Sequence, residues 1–267
     1  MEEELAIAEE NYREPAITLL YFRGKPVVGT SGIVAKFGLE AVNQYSQLVV
    51  ALAAQMSGHT LGDRGMIPNC KDNQLLITGT ALGSFGFQLE ENIENDECLA
   101  EDGSSIIGNS MKKAVSIFKA STEPDDTFSE EIYKLENRVI REIHHFLEIL
   151  SNNEAFCSIE TRNDYFIFEG HEQVKRSSRR FAKSNIREET DTLIGEFTGV
   201  LPKSRDFEFK LSQDNEIIKG KISPLIKNAA NINNLIAKRL GIKVEKRTAG
   251  TSKPRFTLLH IDDKAVY

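Results

Sequence analysis

A chain of 267 residues, 40% hydrophobic and 27% charged, is long enough to bury a sizeable core and has the make-up of a soluble globular protein of one or two domains. Its longest apolar run, Leu48 to Ala54, falls far short of the ~20 residues that span a bilayer, and its acidic opening Met1-Glu2-Glu3-Glu4 is the reverse of a secretory leader's basic start, so no membrane partner is expected. The three cysteines, Cys70, Cys98 and Cys157, are odd in number and far apart, which argues against a disulfide framework or a C-x-x-C pair and points to a reducing, cytoplasmic compartment.

The net charge of −7 hides an asymmetry. Up to Gly170 the chain carries 13 Lys+Arg against 28 Asp+Glu, and beyond it 20 against 12, so the two parts stand at −15 and +8. Such a division points to a polyanion as partner of the basic part, or to docking of one part on the other. The implied organisation is an acidic α+β domain over residues 1–170, a basic linker helix over 171–193 and a small β module over 194–267.

In chain order, the segment up to Glu14 reads as a polar arm. Ala16 to Arg23 is a strand, and the turn chemistry of Gly24-Lys25-Pro26 before Val27-Val28 predicts a hairpin. Val42, Tyr45, Leu48, Val49, Leu52, Ala53 and Met56 then recur at helical spacing, with Gly58 ending the pattern. The glycine-rich loop His59 to Pro68 reads as a connection without a site. Leu75 to Thr80 is a strand that runs on towards Glu91 as an edge hairpin. Its glycines fit neither G-x-G-x-x-G nor the P-loop, and no helix follows to hold a phosphate. In the acidic loop Asn92 to Ser105, Asp96, Glu97, Glu101 and Asp102 lack the spacing of a calcium loop.

Two helices are predicted next, Met111 to Ala120 and a long one from Phe128 to Leu150. On the second, Glu142 and His145 form one E-x-x-H; a di-metal bundle needs a second copy, and none exists. No metal or other cofactor is therefore expected. Ala155 to Glu160 and Asp164 to Glu169 form a hairpin about Thr161-Arg162-Asn163. Beyond Gly170, Lys175, Arg179, Lys183 and Arg187 stand four apart and predict a cationic ridge on the linker helix, able to neutralise several phosphates.

The stretch from Ile194 to Asp262 gives three strand-like runs (Ile194 to Pro202, Arg205 to Leu211, Glu216 to Ser223), an amphipathic helix Ala229 to Leu240 stopped by Gly241, and two more strands, Ile242 to Arg247 and Arg255 to Asp262. The order β-β-β-α-β-β is that of an OB-like β-barrel, whose strand-1/2 and strand-4/5 loops are the usual oligonucleotide edges. Lys203 and Arg205 fall at the first of these loops; Arg247, Lys253 and Arg255 flank the second. Phe207, Phe209 and Leu211 alternate and are assigned to the core.

The fold class expected is thus α+β, an acidic N-terminal domain followed by a small OB-like barrel. The leading function is a non-enzymatic nucleic-acid-binding or adaptor protein of bacterial type, working in a larger assembly. Nucleic acid would be held by Lys175, Arg179, Lys183, Arg187, Lys203, Arg205, Arg247, Lys253 and Arg255. One alternative is a metal-dependent nuclease using the E-x-K pair Glu208 and Lys210; the other is a protein-interaction module with an acidic protein partner. No catalytic residue is expected under the leading reading.

Overall fold

A computed structural model describes residues 14–59, 61–62, 65–68, 74–81, 85–93 and 105–262. The acidic arm before Glu14, most of the acidic loop with Asp96, Glu97, Glu101 and Asp102, and Cys70, Cys98, Asp63, Arg64 and Gly83 lie outside the described residues. Among the described residues no helix is long and apolar enough to cross a membrane.

The elements begin with β1 (Ile17–Gly24), β2 (Val27–Val28), β3 (Gly32–Ile33), α1 (Ala35–Met56), β4 (Leu75–Ala81), β5 (Gly86–Glu91), α2 (Ile106–Ala120) and α3 (Asp125–Ile132). They continue with α4 (Asn137–Asn152), β6 (Ala155–Thr161), β7 (Tyr165–Ile167), α5 (His171–Phe181), β8 (Ile186–Leu201), β9 (Asp206–Leu211), β10 (Ile217–Ile222), a 3-10 turn (Ala229–Leu235), β11 (Arg239–Ala249) and β12 (Arg255–Asp262). Two compact units form: Met1–Glu123 with Leu135–Phe181, and Pro124–Lys134 with Ala182–Tyr267.

The first unit is built on an antiparallel sheet in the order β4-β5-β1-β6-β7. In β1 the alternation buries Thr18, Leu20 and Phe22. Phe22 meets Phe37 of α1 edge-on at 5.3 Å, and Phe146 of α4 joins Tyr45 of α1 at 5.8 Å and Phe118 of α2 at 5.5 Å, so the rings tie the helices and sheet into one core. Two local readings change here. Val27–Val28 pairs with Gly32–Ile33 and not with β1. The long helix Phe128 to Leu150 is two helices, because Glu136 has extended backbone (φ −71, ψ 152); its N–H is taken by Gln55 Oε1 at 2.9 Å and its carboxylate by the Leu61 N–H at 2.7 Å. The half before this break belongs to the second unit.

In the second unit β8 pairs antiparallel with β11, from Ile186↔Ala249 to Glu196↔Arg239, and then with β9, from Gly195↔Leu211 to Leu201↔Asp206. β9 pairs with β10, β10 runs parallel to β12 from Gly220↔Phe256 to Ile222↔Leu258, and β12 returns to β11, which closes the order β10-β12-β11-β8-β9. Inside lie Phe197, Phe207, Phe209, Ile242, Val244 and Leu258, with Phe197 edge-on to Phe209 at 5.0 Å.

The expected class, an acidic α+β domain followed by an OB-like barrel, is corrected in its helix and its boundaries, although the strands of the second unit do close. Among the described residues the fold is a mixed α/β arrangement with two large β systems and the small β2–β3 pair, and the five-stranded sheet of the first unit is open. The second unit is no consecutive C-terminal piece: it takes in Pro124–Lys134 and starts at Ala182. The helix required between its third and fourth strands is absent. Ala229–Leu235 makes only a 3-10 turn, Ile236 is extended, Ala237 has φ 61, and Gly241 sits within β11 rather than ending a helix. Asn231, Asn233 and Asn234 supply the reason, since asparagine side chains compete for backbone groups and favour turns over helix.

Charge follows the true boundaries differently. Cut at these, the first unit has 16 Lys+Arg against 25 Asp+Glu and the second 17 against 15, or −9 and +2, so about half of the apparent contrast at Gly170 came from where the chain was divided. The strongly basic α5 lies in the acidic unit.

Close strand approach depends on two glycines. A Cβ on Gly195 would stand 2.0 Å from the Lys210 carbonyl oxygen, and one on Gly220 would stand 2.2 Å from that of Phe256, whereas one on Gly199 meets nothing nearer than Glu208 Oε2 at 3.7 Å. Gly195→Ala and Gly220→Ala should each lose at least ~1–3 kcal/mol, the usual cost of overpacking, while Gly199→Ala changes little. Chemical denaturation of the three variants checks this.

Candidate functional site

The nine cations predicted from sequence lie on several elements of the two units. Lys175 and Arg179 lie one turn apart on α5, but that helix ends at Phe181; Lys183 stands in the turn closed by Asn185 N–H to Ala182 carbonyl at 2.9 Å, and Arg187 is on β8. The continuous ridge is thus corrected to two short groups in different units. Arg205, in left-handed backbone (φ 57), donates to the carbonyls of Ile222 at 3.0 Å, Ile226 at 2.9 Å and Ser223, and so closes the end of β10. Arg247, only 7% exposed, gives Nη1 to the Ile132 carbonyl at 3.0 Å and to that of Tyr133 at 3.3 Å, and forms an ion pair with Glu188, Nε standing 2.8 Å from Oε1. It fastens the Pro124–Lys134 segment to β11. Arg255 pairs with Glu130 of α3 at 2.9 Å. Lys203 and Lys253 are exposed, as are Arg179, Lys183 and Arg187.

The E-x-K residues share one face of β9, and each has a cross-strand partner. Glu208 pairs across strands with Lys219 at 2.6 Å, and Lys210 reaches Glu196 at 3.9 Å. Among the described residues no three His, Cys, Asp or Glu side chains gather as a metal would need.

What the structure does form is a cavity of about 570 Å³ in the second unit, lined by strands β8, β9, β10 and β12, the 3-10 turn and Tyr133. Its apolar wall includes Leu201, Ile236 and Phe256; Leu201 is 63% and Ile236 39% exposed. Its charges are engaged: Lys219 with Glu208, and Asp206 with Lys221 at 2.6 Å. Burial pushes the Asp206 carboxyl up, but hydrogen bonds from Lys221 and Ser204 and the charges of Lys221 and Lys134 outweigh it and hold the group below the ordinary carboxylate range. Burial raises the Tyr133 phenol, whose ring carries Lys134 Nζ at 5.6 Å from its centre. Volume, apolar walls and a few converging polar groups are the usual features of a binding site.

Sequence reasoning missed Tyr133, Lys219 and Ile236 as cavity residues. The Leu201 side chain beside Pro202 at a turn was a visible signal; Tyr133 gave none, since it reaches the cavity from a distant part of the chain.

Two expectations follow. Arg247→Ala should cost ~2–3 kcal/mol, because buried carbonyls lose a charged donor, whereas Lys203→Ala should stay within about 0.5 kcal/mol; urea unfolding measures both. Burial lifts the Glu245 carboxyl, Arg247 pulls it down and Glu188 pushes it up, leaving the group raised in the folded state. A raised carboxyl binds its proton more tightly when folded, so its stabilising share is present below the unfolded value near 4.5 and is lost as pH rises through the folded one. Glu245→Gln should therefore raise the melting temperature at neutral pH, with the gain shrinking under acid conditions; a pH series of thermal melts decides. Neither a family model, a curated protein nor a solved structure matches this chain.

Proposed function

We propose that the chain is a non-enzymatic, cytoplasmic adaptor that holds an acidic protein partner at the cavity of its second unit and works within a larger assembly. The observation that carries this reading is the cavity itself: exposed apolar side chains line it while its ionic groups already satisfy one another. A polyphosphate needs cations whose donors are available, and Arg205, Arg247 and Arg255 spend theirs on carbonyls or carboxylates of the protein. A protein surface instead rewards apolar groups at the centre with a polar rim. Acidity of the partner is supported by the charges around Tyr133 and Asp206, where Lys134 adds to the pairs Lys219–Glu208, Lys221–Asp206 and Arg255–Glu130 and leaves a cationic surplus. The buried, free Cys157, its thiol pushed up by burial, fits a reducing compartment.

A nucleic-acid reading keeps one observation in its favour, the exposed Lys183, Arg187, Lys203 and Lys253. Titrating labelled single- and double-stranded oligonucleotides against the whole chain at several salt concentrations separates the two. The adaptor reading expects weak binding, unchanged by Leu201→Asp. Tight binding whose logarithm falls with log salt by ~0.7 to 0.9 per phosphate over several contacts, and which Lys203→Ala with Lys253→Ala reduces, would replace it.

A further inference from the structure

β8 is a strand with an unfinished edge. On the side away from β9, its pairing with β11 stops at Glu196, and the parallel bridge Phe197↔Ile236 fills one further position. From Thr198 to Leu201 no strand among the described residues takes that side, although β9 pairs Gly199, Val200 and Leu201 on the other. Open main-chain donors and acceptors on a strand edge are a template for another strand. Gly199, Val200 and Leu201 also line the cavity. Arg255 also borders the cavity, with its Nη2 holding Glu130 at 2.9 Å.

Resting on the adaptor reading, we infer that the site takes an extended acidic segment of a partner protein, which adds a strand along Thr198–Leu201 and seats one bulky apolar side chain in the cavity. The four residues of edge span about 13 Å at the usual rise per residue, enough to pair with a segment of similar length. Main-chain hydrogen bonds then give affinity, and the cavity selects every second side chain. Charge complementarity sets the sign of the partner: the cationic surplus around Tyr133 and Asp206, with Lys219 73% exposed, favours carboxylates flanking the apolar residue. Gly199 supplies the floor, because its lack of a side chain leaves the strand surface open there.

The test uses the full chain as bait for a displayed library of random peptides, followed by fluorescence anisotropy with the selected peptide. The selected sequences should carry a large apolar residue with Asp or Glu around it. Replacing those carboxylates by amides, or N-methylating alternate backbone amides, should each weaken binding by about ten-fold or more. Gly199→Trp, which fills the floor, and Leu201→Asp, at an exposed position, should both abolish it while leaving circular dichroism and melting behaviour near those of the parent. Selected peptides that bind equally well when N-methylated, yet are lost with Gly199→Trp, overturn strand addition and leave the adaptor reading standing. Peptides that bind both variants as they bind the parent place the interaction elsewhere and overturn the inference. Failure to select any peptide, with an oligonucleotide or a second copy of the chain occupying the face instead, overturns both readings.

Discussion

The second unit depends on one strand serving two partners in succession. The 16 residues of β8 hand over from β11 to β9 near Gly195, where the backbone of Lys210 comes so close that no side chain fits. A strand that changes partners must coil, and a bulge between Phe197 and Gly199 takes up the change of register. Everything else in the unit follows from this handover: Phe197 points inward against Phe207 and Phe209, the pairing closes, and the last residues of β8 emerge with one side unserved. The cavity is therefore a by-product of closure, placed where the coil leaves its first partner.

Arginine has an internal task in this unit. Carbonyl groups at the ends of strands and helices have no neighbour of their own, and a planar guanidinium can satisfy several at once. Arg205 does so for the chain leaving β10, and Arg247 does so for the end of α3, where the last carbonyls would otherwise be buried unpaired. Lysines are distributed differently. Lys219 and Lys221 lie on the outer face of β10 and answer the carboxylates of β9 across the pleat, giving alternating stripes rather than a field of one sign.

Periodicity made much of this structure legible. The stripe from Val42 to Met56, the alternation of Phe207 and Phe209, and the turn between β6 and β7 each record a local rule that tertiary structure did not override. Where reading failed, the deciding groups were remote in sequence. Phe128 and Val139 share one helical stripe on paper, yet Glu136 is held extended by Gln55 and Leu61, which no window around it contains. The spacing of Lys175, Arg179, Lys183 and Arg187 suited a helix, but Phe181 is needed in the core and the chain turns there. Sequence alone also cannot say whether an arginine's donors are spent: Arg205 and Lys203 looked alike, and only the fold distinguishes them.

The membership of Pro124–Lys134 in the second unit bears on the order of events during synthesis. Tyr133 and Ile132 leave the ribosome long before Arg247, which lies 115 residues after Ile132 and binds its carbonyl. At ~5–20 residues per second the segment waits roughly 6–23 s for its partner, while the chain on either side of it belongs to a different compact unit. Through that interval α3, whose Phe128 and Ile132 are buried in the finished fold, is without its neighbour β11. A nascent chain in this state exposes a short sticky helix between two segments already able to collapse, so the first unit can mature early only by leaving this stretch as an open loop.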